Sequence, residues 1–471
     1  MHLAAREAPE HPAVVQGELR LSYAELAARV AGAQLELRAK SPEGLRGRRV
    51  ATVARPDLAS VVWVSALLEE GAVPCMLHPR LPDPLKAELA ARTGAVSAAS
   101  VGVGPELPEP AKAPPPLVER DPEADLAIFF TSGSTASPKG VRLSRRAFVA
   151  SAEGSARNLG WQADDRWLVN LPIAHIGGFS IFTRTRLARA TMVLEAEPGG
   201  FDPHRLLHTL EGSQVSLLSL VPTMLHRVVQ AGLRAPASLR VLLLGGAPAS
   251  PELLAEGARL GWPILGTYGL TESCSQVTVQ PYGEAPGPEQ GAGLPLAGVE
   301  LKADADGIAV RGPTLMSGYL PEDAGAFDAA GWFRTGDLGR LDARGRLFVL
   351  GRAKEMILSG GENVSPLRVE ASLRALPGVR DVVVYGLPDP EWGEVVGATV
   401  VLEEGATIEG VGVQARALLA GFERPRHLVA AETLPLLPSG KIDRRSARAA
   451  AERARAAEKR AGKGASADDL D

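Results

Sequence analysis

The chain has 471 residues, 45% hydrophobic and 23% charged, which excludes a disordered or fibrous protein and allows two or more domains around at least one large core. The formal net charge of −4 gives no general attraction to nucleic acid or acidic lipid, so any phosphate contact should be local. Cys75 and Cys274 stand far apart without CxxC or His-rich company, which argues against a disulfide framework or a structural zinc site.

The N-terminal "MHLAAREAPEHP" lacks the apolar core of a signal peptide, and no apolar run reaches the roughly 18 residues that span a bilayer. A soluble cytoplasmic protein without a membrane span is expected. In "LSYAELAARVAG", Ser22 and Glu25 form a capping-box pattern that opens an amphipathic helix. Seven prolines in "PELPEPAKAPPPLVERDP", Pro105 to Pro122, rule out a helix or central strand there and predict an extended connection.

From 125 to 270, the apolar runs "LAIFF", "VSLLSLVP" and "LRVLLLGG" alternate with the helical patterns "PHRLLHTLEG", "TMLHRVVQAG" and "SPELLAEGARLG". Such alternation predicts α/β layers with buried strands. After about residue 351 the pattern changes, and "VRDVVVYGLPDPEWGEVVGATVVLEEG" reads as a strand pair around a loop, followed by a helix at "VQARALLAGF". A smaller α+β domain of about 100 residues is expected there. The Ala-rich, charged end from 447 to 471 has no apolar stripe and reads as a frayed helix running into disorder.

Chemistry is concentrated in short polar stretches. "TSGSTASPKG", residues 131–140, follows the apolar "AIFF" and precedes "VRLS", a strand, turn, strand arrangement that can present backbone N–H groups, hydroxyls and one ammonium to phosphates. It is not a Walker A loop, because Lys139 is followed by Gly140 and Val141 rather than by Ser or Thr at a helix N-terminus. Downstream come "GTYGLTES", "WFRTGDLG", "GRAKEMILSGGENVSP" and "LPSGKIDRR", each joining turn glycines to spaced polar groups.

In this order, the five stretches resemble the adenylate-forming superfamily of acyl-CoA synthetases, peptide-synthetase adenylation domains and luciferases. The resemblance implies a large multi-layer α/β N-terminal domain at 1–353, a small mobile α+β C-terminal domain at 354–446, and the charged tail. It implies a two-step ligase reaction in which a carboxylate and ATP form an acyl-adenylate and pyrophosphate, after which a thiol takes the acyl group. Charge building on the phosphate oxygens must be met by fixed donors, cations and Mg²⁺.

By this resemblance, Thr131, Ser132, Gly133, Ser134, Thr135 and Lys139 cradle the phosphates, Thr271 bonds the α-phosphate, and Glu272 holds the magnesium. Tyr268 and the turn containing Gly246 and Ala247 sandwich adenine, while Asp337 and Arg352 serve the ribose. Lys441 is delivered by the small domain during adenylation, and Lys354 is the hinge. Rotation then presents the Gly360–Gly361 stretch to the pantetheine of coenzyme A.

No carrier domain follows Lys441 in the sequence, so free CoA is the expected acceptor. "LPIAHIGGFSIFTR" and "GLTESCSQV" further resemble the o-succinylbenzoate:CoA ligases of menaquinone biosynthesis. Gly177, where that group usually has Ser, and Ala174, where a bulkier residue is common, depart from the pattern. His175 is expected to line the acyl site and Arg184 to meet a second carboxylate, with Arg186 facing solvent; Val277 and the stretch from Leu218 to Thr223 would wall the ring. The alternatives are a ligase for another arenecarboxylate or medium-chain acid, or a non-catalytic nucleotide-binding protein of the same fold. The partners read here are a small carboxylic acid, ATP and CoA, with self-association into a homo-oligomer left open.

Overall fold

The computed structural model describes residues 2–113, 115–116, 120–131, 138–195, 199–284, 287–321, 325–437 and 440–464. The chain divides into two compact units: one of Met1–Lys302, Ala309–Thr335 and Leu341–Phe348, the other of Ala303–Ile308, Gly336–Arg340 and Val349–Asp471.

The first unit carries two large sheets among the described residues. One has nine strands, ordered Leu294–Pro295, Ser275–Val279, Ile264–Leu270, Val241–Leu244, Leu217–Leu220, Arg166–Leu168, Thr191–Leu194, Pro12–Gln16, Leu19–Ser22. Its centre is parallel and its two margins are antiparallel. The second has six, ordered Gly318–Leu320, Lys139–Ser144, Asp125–Thr131, Val73–Leu77, Arg49–Val53, Val96–Ser97.

The expected alternation is present. Helices Pro203–Gly212, Pro222–Gln230 and Pro251–Arg259 follow the three helical patterns, each with proline in its first turn. Central strands read as continuous apolar runs because both faces are covered, as in Val241–Leu244. Leu218, Leu220, Leu242, Leu244 and Ile264 meet Leu206, Leu210, Leu225 and Val228 in one core, each such burial stabilising by about 1.5–3 kcal/mol. Leu218 and Leu220, expected in an acyl wall, belong to this core. Strand alternation puts them on the face opposite Ser219 and Val221.

Helices Arg145–Leu159 and Ile176–Ala188 join the second sheet through an aromatic chain: Phe129 lies 5.1 Å from Phe179 edge-on, and Phe179 lies 5.2 Å from Phe148 and 5.1 Å from Phe182. The proline-rich connection is laid against helices Tyr23–Lys40 and Leu58–Glu69. Ala111 N–H donates to the Ala28 carbonyl at 2.9 Å, and Trp63 Nε1 donates to the Glu106 carbonyl at 2.9 Å. Gly32 is required there, since a Cβ would lie 1.8 Å from the Glu109 oxygen.

In the second unit, the long hairpin Val379–Asp389/Gly393–Leu402 is the predicted strand pair. Both of its faces are buried. Val382 and Val384 turn toward helices Pro366–Arg374 and Ile408–Leu418, whereas Val383, Tyr385 and Leu387 turn toward helix Arg444–Gly464. The helix expected at "VQARALLAGF" begins earlier, at Ile408, because Thr407 caps it by accepting from Gly410 N–H. The end expected to fray from 447 is helical and packed at its start, among the described residues. Ala447 and Ala451 are buried against Val383 and Tyr385, and Arg455 donates to the Pro388 carbonyl at 2.8 Å. Alanine at i and i+4 forms a narrow stripe that suffices because the sheet brings the bulk. Among the described residues no helix is long and apolar enough to cross a membrane.

Candidate active site

The strands that flank the glycine-rich stretch are antiparallel neighbours. Asp125–Thr131 pairs with Lys139–Ser144, and Thr131 and Lys139 are direct cross-strand partners. Ser132, Gly133, Ser134 and Thr135 lie outside the described residues. Farther down the hairpin, Arg142 Nε meets Asp125 Oδ2 at 2.7 Å and fastens the two strands.

The Thr271–Ser273 turn is set by local backbone needs. Strand Ile264–Leu270 doubles back into Ser275–Val279 so tightly that a Cβ on Gly269 would lie 1.6 Å from the Ser275 oxygen. Cys274 and Ser275 take positive φ of 54° and 92° to complete the reversal. Ser273 closes the turn, its hydroxyl accepting from Leu270 N–H at 3.3 Å. Thr271 and Glu272 are left half-exposed. The Glu272 carbonyl accepts from Met316 N–H at 2.8 Å, and its Oε1 accepts from the Tyr319 hydroxyl at 2.9 Å.

Among the described residues no three His, Cys, Asp or Glu side chains cluster to hold a metal. A lone carboxylate with one oxygen already bonded suits magnesium, which takes one or two carboxylates and completes its shell with phosphate oxygens and water. At the end of the neighbouring strand Val241–Leu244, Gly245 abuts Thr267, where a Cβ would sit 2.7 Å from Thr267 Cγ2. Close approach leaves Gly246 and Ala247 exposed beside half-buried Tyr268, rather than packing that tyrosine into the core.

Around the "LPIAHIGGF" segment the helix Ile176–Ala188 starts at His175. The tight glycine is Gly178, whose Cβ would lie 2.4 Å from the Pro172 oxygen; at Gly177 a Cβ would meet only Leu171 Cδ1 at 3.3 Å. The His175 ring lies 4.9 Å from that of His78, which the sequence did not flag. Burial, then the charges of Arg80 and Lys86, pushes the His78 imidazole below its usual range.

Arg184 is buried at 2% exposure on the same helix, its guanidinium 5.6 Å from the Trp167 ring. Nε and Nη2 lack hydrogen-bond partners among the described residues. Burial pulls its pKa down to about 10, the Cys274 thiol opposing weakly. Val277, wholly buried, is on the strand against which this helix packs. Arg186 does not turn to solvent as expected. It lies 3.5 Å over the Phe182 ring and donates to Ser65 Oγ, because the helix is covered on that side too.

The second unit carries its own group. Arg352 Nε meets Asp337 Oδ1 at 2.8 Å; the aspartate side chain is 7% exposed and the arginine 55%. Lys354 is exposed, two residues beyond. Gly360 and Gly361 take φ of 60° and 87°, and Gly360 lies against Trp392, accepting its place by donating N–H to the Trp392 carbonyl at 2.9 Å. A Cβ on Gly360 would lie 2.6 Å from that indole, whereas nothing stands within 4 Å of one on Gly361. Lys441 is half-buried in a turn whose backbone is held by Leu437 N–H to the Lys441 carbonyl at 2.7 Å.

This glycine-hairpin site and the two-unit fold define an AMP-binding enzyme. The chain belongs to that family: residues 85–320 match the AMP-binding enzyme domain and 368–441 the AMP-binding enzyme C-terminal domain. More particularly, it is 38% identical over 329 residues to the 2-succinylbenzoate–CoA ligase of Bacillus licheniformis, covering 67% of this chain and 68% of that protein. The o-succinylbenzoate CoA synthetase of Bacillus subtilis in complex with its acyl-adenylate intermediate superposes with a TM-score of 0.83 at 29% identity, covering 95% of this chain and 97% of that one. The same enzyme with ATP and magnesium gives 0.81 at 29%, over 94% and 98%.

Proposed function

We propose that this chain is an acid–thiol ligase that converts 2-succinylbenzoate, ATP and CoA into the CoA thioester, AMP and pyrophosphate, serving menaquinone biosynthesis in the cytoplasm. A carboxylate oxygen of the acid attacks the α-phosphorus as the bond to the pyrophosphate oxygen breaks. The CoA thiolate then attacks the acyl carbon and AMP leaves. Residues 131–135 and Lys139 hold the phosphates, Thr271 the α-phosphate, and Tyr268 with Gly246 and Ala247 the adenine. Asp337, oriented by Arg352, takes the ribose hydroxyls. Glu272 would hold magnesium, which supplies neutralisation of phosphate charge when bound with ATP. Lys441 serves adenylation, and Gly360 and Gly361 the pantetheine arm, with the chain pivoting at Lys354.

The observation that carries the choice of acid is Arg184, whose Nε and Nη2 lack hydrogen-bond partners among the described residues. A buried cation with unmet donors is costly unless an anion meets it, and the second carboxylate of 2-succinylbenzoate would be such an anion. His175, Gly177 and Val277 would line the rest of the acid. The test is mass spectrometry of CoA thioesters formed from 2-succinylbenzoate, benzoate, anthranilate and octanoate with ATP and Mg²⁺. A dominant 2-succinylbenzoyl-CoA product is expected; preference for another acid would retain the ligase and reject this substrate, and no thioester or pyrophosphate from any acid would reject the ligase.

A further inference from the structure

Strand Gly318–Leu320 is an edge strand of the six-stranded sheet, and it touches both halves of the phosphate machinery. Tyr319 pairs with Val141 across the ladder, while Ser317 N–H donates to the Arg142 carbonyl at 2.8 Å, so the strand is fixed to the hairpin that carries Lys139. One residue earlier, Met316 N–H donates to the Glu272 carbonyl at 2.8 Å, fixing the same segment to the Thr271–Ser273 turn. The tyrosine side chain repeats that connection. Its hydroxyl donates to Glu272 Oε1 at 2.9 Å, and Lys139 Nζ lies 4.8 Å from its ring centroid.

We propose that Tyr319 is a positioning residue that sets Glu272 and Lys139 relative to each other, so that the magnesium-bearing carboxylate and the phosphate-binding ammonium act on one nucleotide. The inference rests on the reading of Glu272 as the magnesium carboxylate. A carboxylate on a free-turning side chain would lose rotamer freedom on meeting a cation; with Oε1 committed to the phenol, Oε2 is presented in one direction. The ring face offers Lys139 an electrostatic seat on the same side chain that bonds Glu272. Hydroxyl and ring thus have separable duties.

The experiment is calorimetric titration of a non-hydrolysable ATP analogue, with Mg²⁺ varied and then chelated. Tyr319→Phe, which keeps the ring, is expected to raise the Mg²⁺ concentration for half-maximal nucleotide binding about tenfold and to leave metal-free binding within about twofold. Tyr319→Leu is expected to weaken metal-free binding as well, by about threefold. In a Glu272→Gln background, Tyr319→Phe should cost nothing further. An unchanged Mg²⁺ requirement in Tyr319→Phe, with Glu272→Gln shifted, overturns the role of the tyrosine alone. An unchanged requirement in Glu272→Gln overturns the reading of the carboxylate and the proposal with it. Equal, additive losses in the double variant show that Tyr319 does not act through Glu272 and overturn it too.

Discussion

Arg184 shows how burial changes what a residue type means. On a surface, an arginine nine residues after a histidine would be unremarkable; here it is enclosed, its pKa lowered to about 10 by burial, with two nitrogens unmet among the described residues. Arg184→Ala is expected to raise the acid KM at least about tenfold with the ATP KM unchanged, and Arg184→Lys to recover part of that, since a point charge replaces the fork. Steady-state kinetics with each substrate varied checks this; an unchanged acid KM rejects the assignment. The sequence singled out Arg184 by its motif and read Arg186 as facing solvent, but the partners of Arg186, Phe182 and Ser65, are set by packing. The sequence singled out Gly177, whereas the carbonyls of Leu171 and Pro172 assign the steric demand to Gly178.

Elements here are fastened by ion pairs between distant segments. Asp165, at the start of strand Arg166–Leu168, takes Arg240 Nε at 2.8 Å and Nη2 at 2.6 Å and the Ser216 hydroxyl at 2.8 Å. Burial raises its pKa, but Arg240 and the other donors outweigh that and hold it below the ordinary 3.8. The folded value is depressed, so the stabilisation is present above pH 3.8 and is lost as the pH falls through the lower folded value. Asp165→Asn should therefore cost on the order of 3 kcal/mol at pH 7, with the gap to the parent narrowing below that range. Urea unfolding across pH tests this, and a constant gap would contradict it.

In the second unit, Arg444 opens the last helix by pairing with buried Glu370, meeting Glu355 at 3.1 Å and donating to the Val384 carbonyl at 2.6 Å. It stands three residues after Lys441. Arg444→Ala should destabilise that unit by roughly 3 kcal/mol and lower pyrophosphate release, read by denaturation and a coupled assay. Loss of release without loss of stability would assign Arg444 a direct part in the chemistry instead.

At the scale of the whole molecule, the proposed reaction gives its two steps to two different motifs of the second unit. Lys441→Ala is expected to depress acyl-adenylate formation by about 100-fold while sparing thioester formation from supplied adenylate; Gly361→Trp should do the reverse. Rapid-quench assays of each half-reaction decide, and equal loss in both would contradict an exchange of roles by rotation. The sequence alone determined the alternating α/β architecture, the capping box at Ser22, the strand pair in the smaller unit and the motifs of the site. These are written in periodicity and in neighbours a few residues apart, where the chain itself fixes the geometry. Tertiary structure decided that Tyr319 reaches Glu272 across 47 positions, that Arg444 reaches Glu370 across 74, and that an alanine stripe is enough to seat the last helix. Partners so far apart in sequence are chosen by how sheets and helices pack, and a local pattern contains no record of that choice.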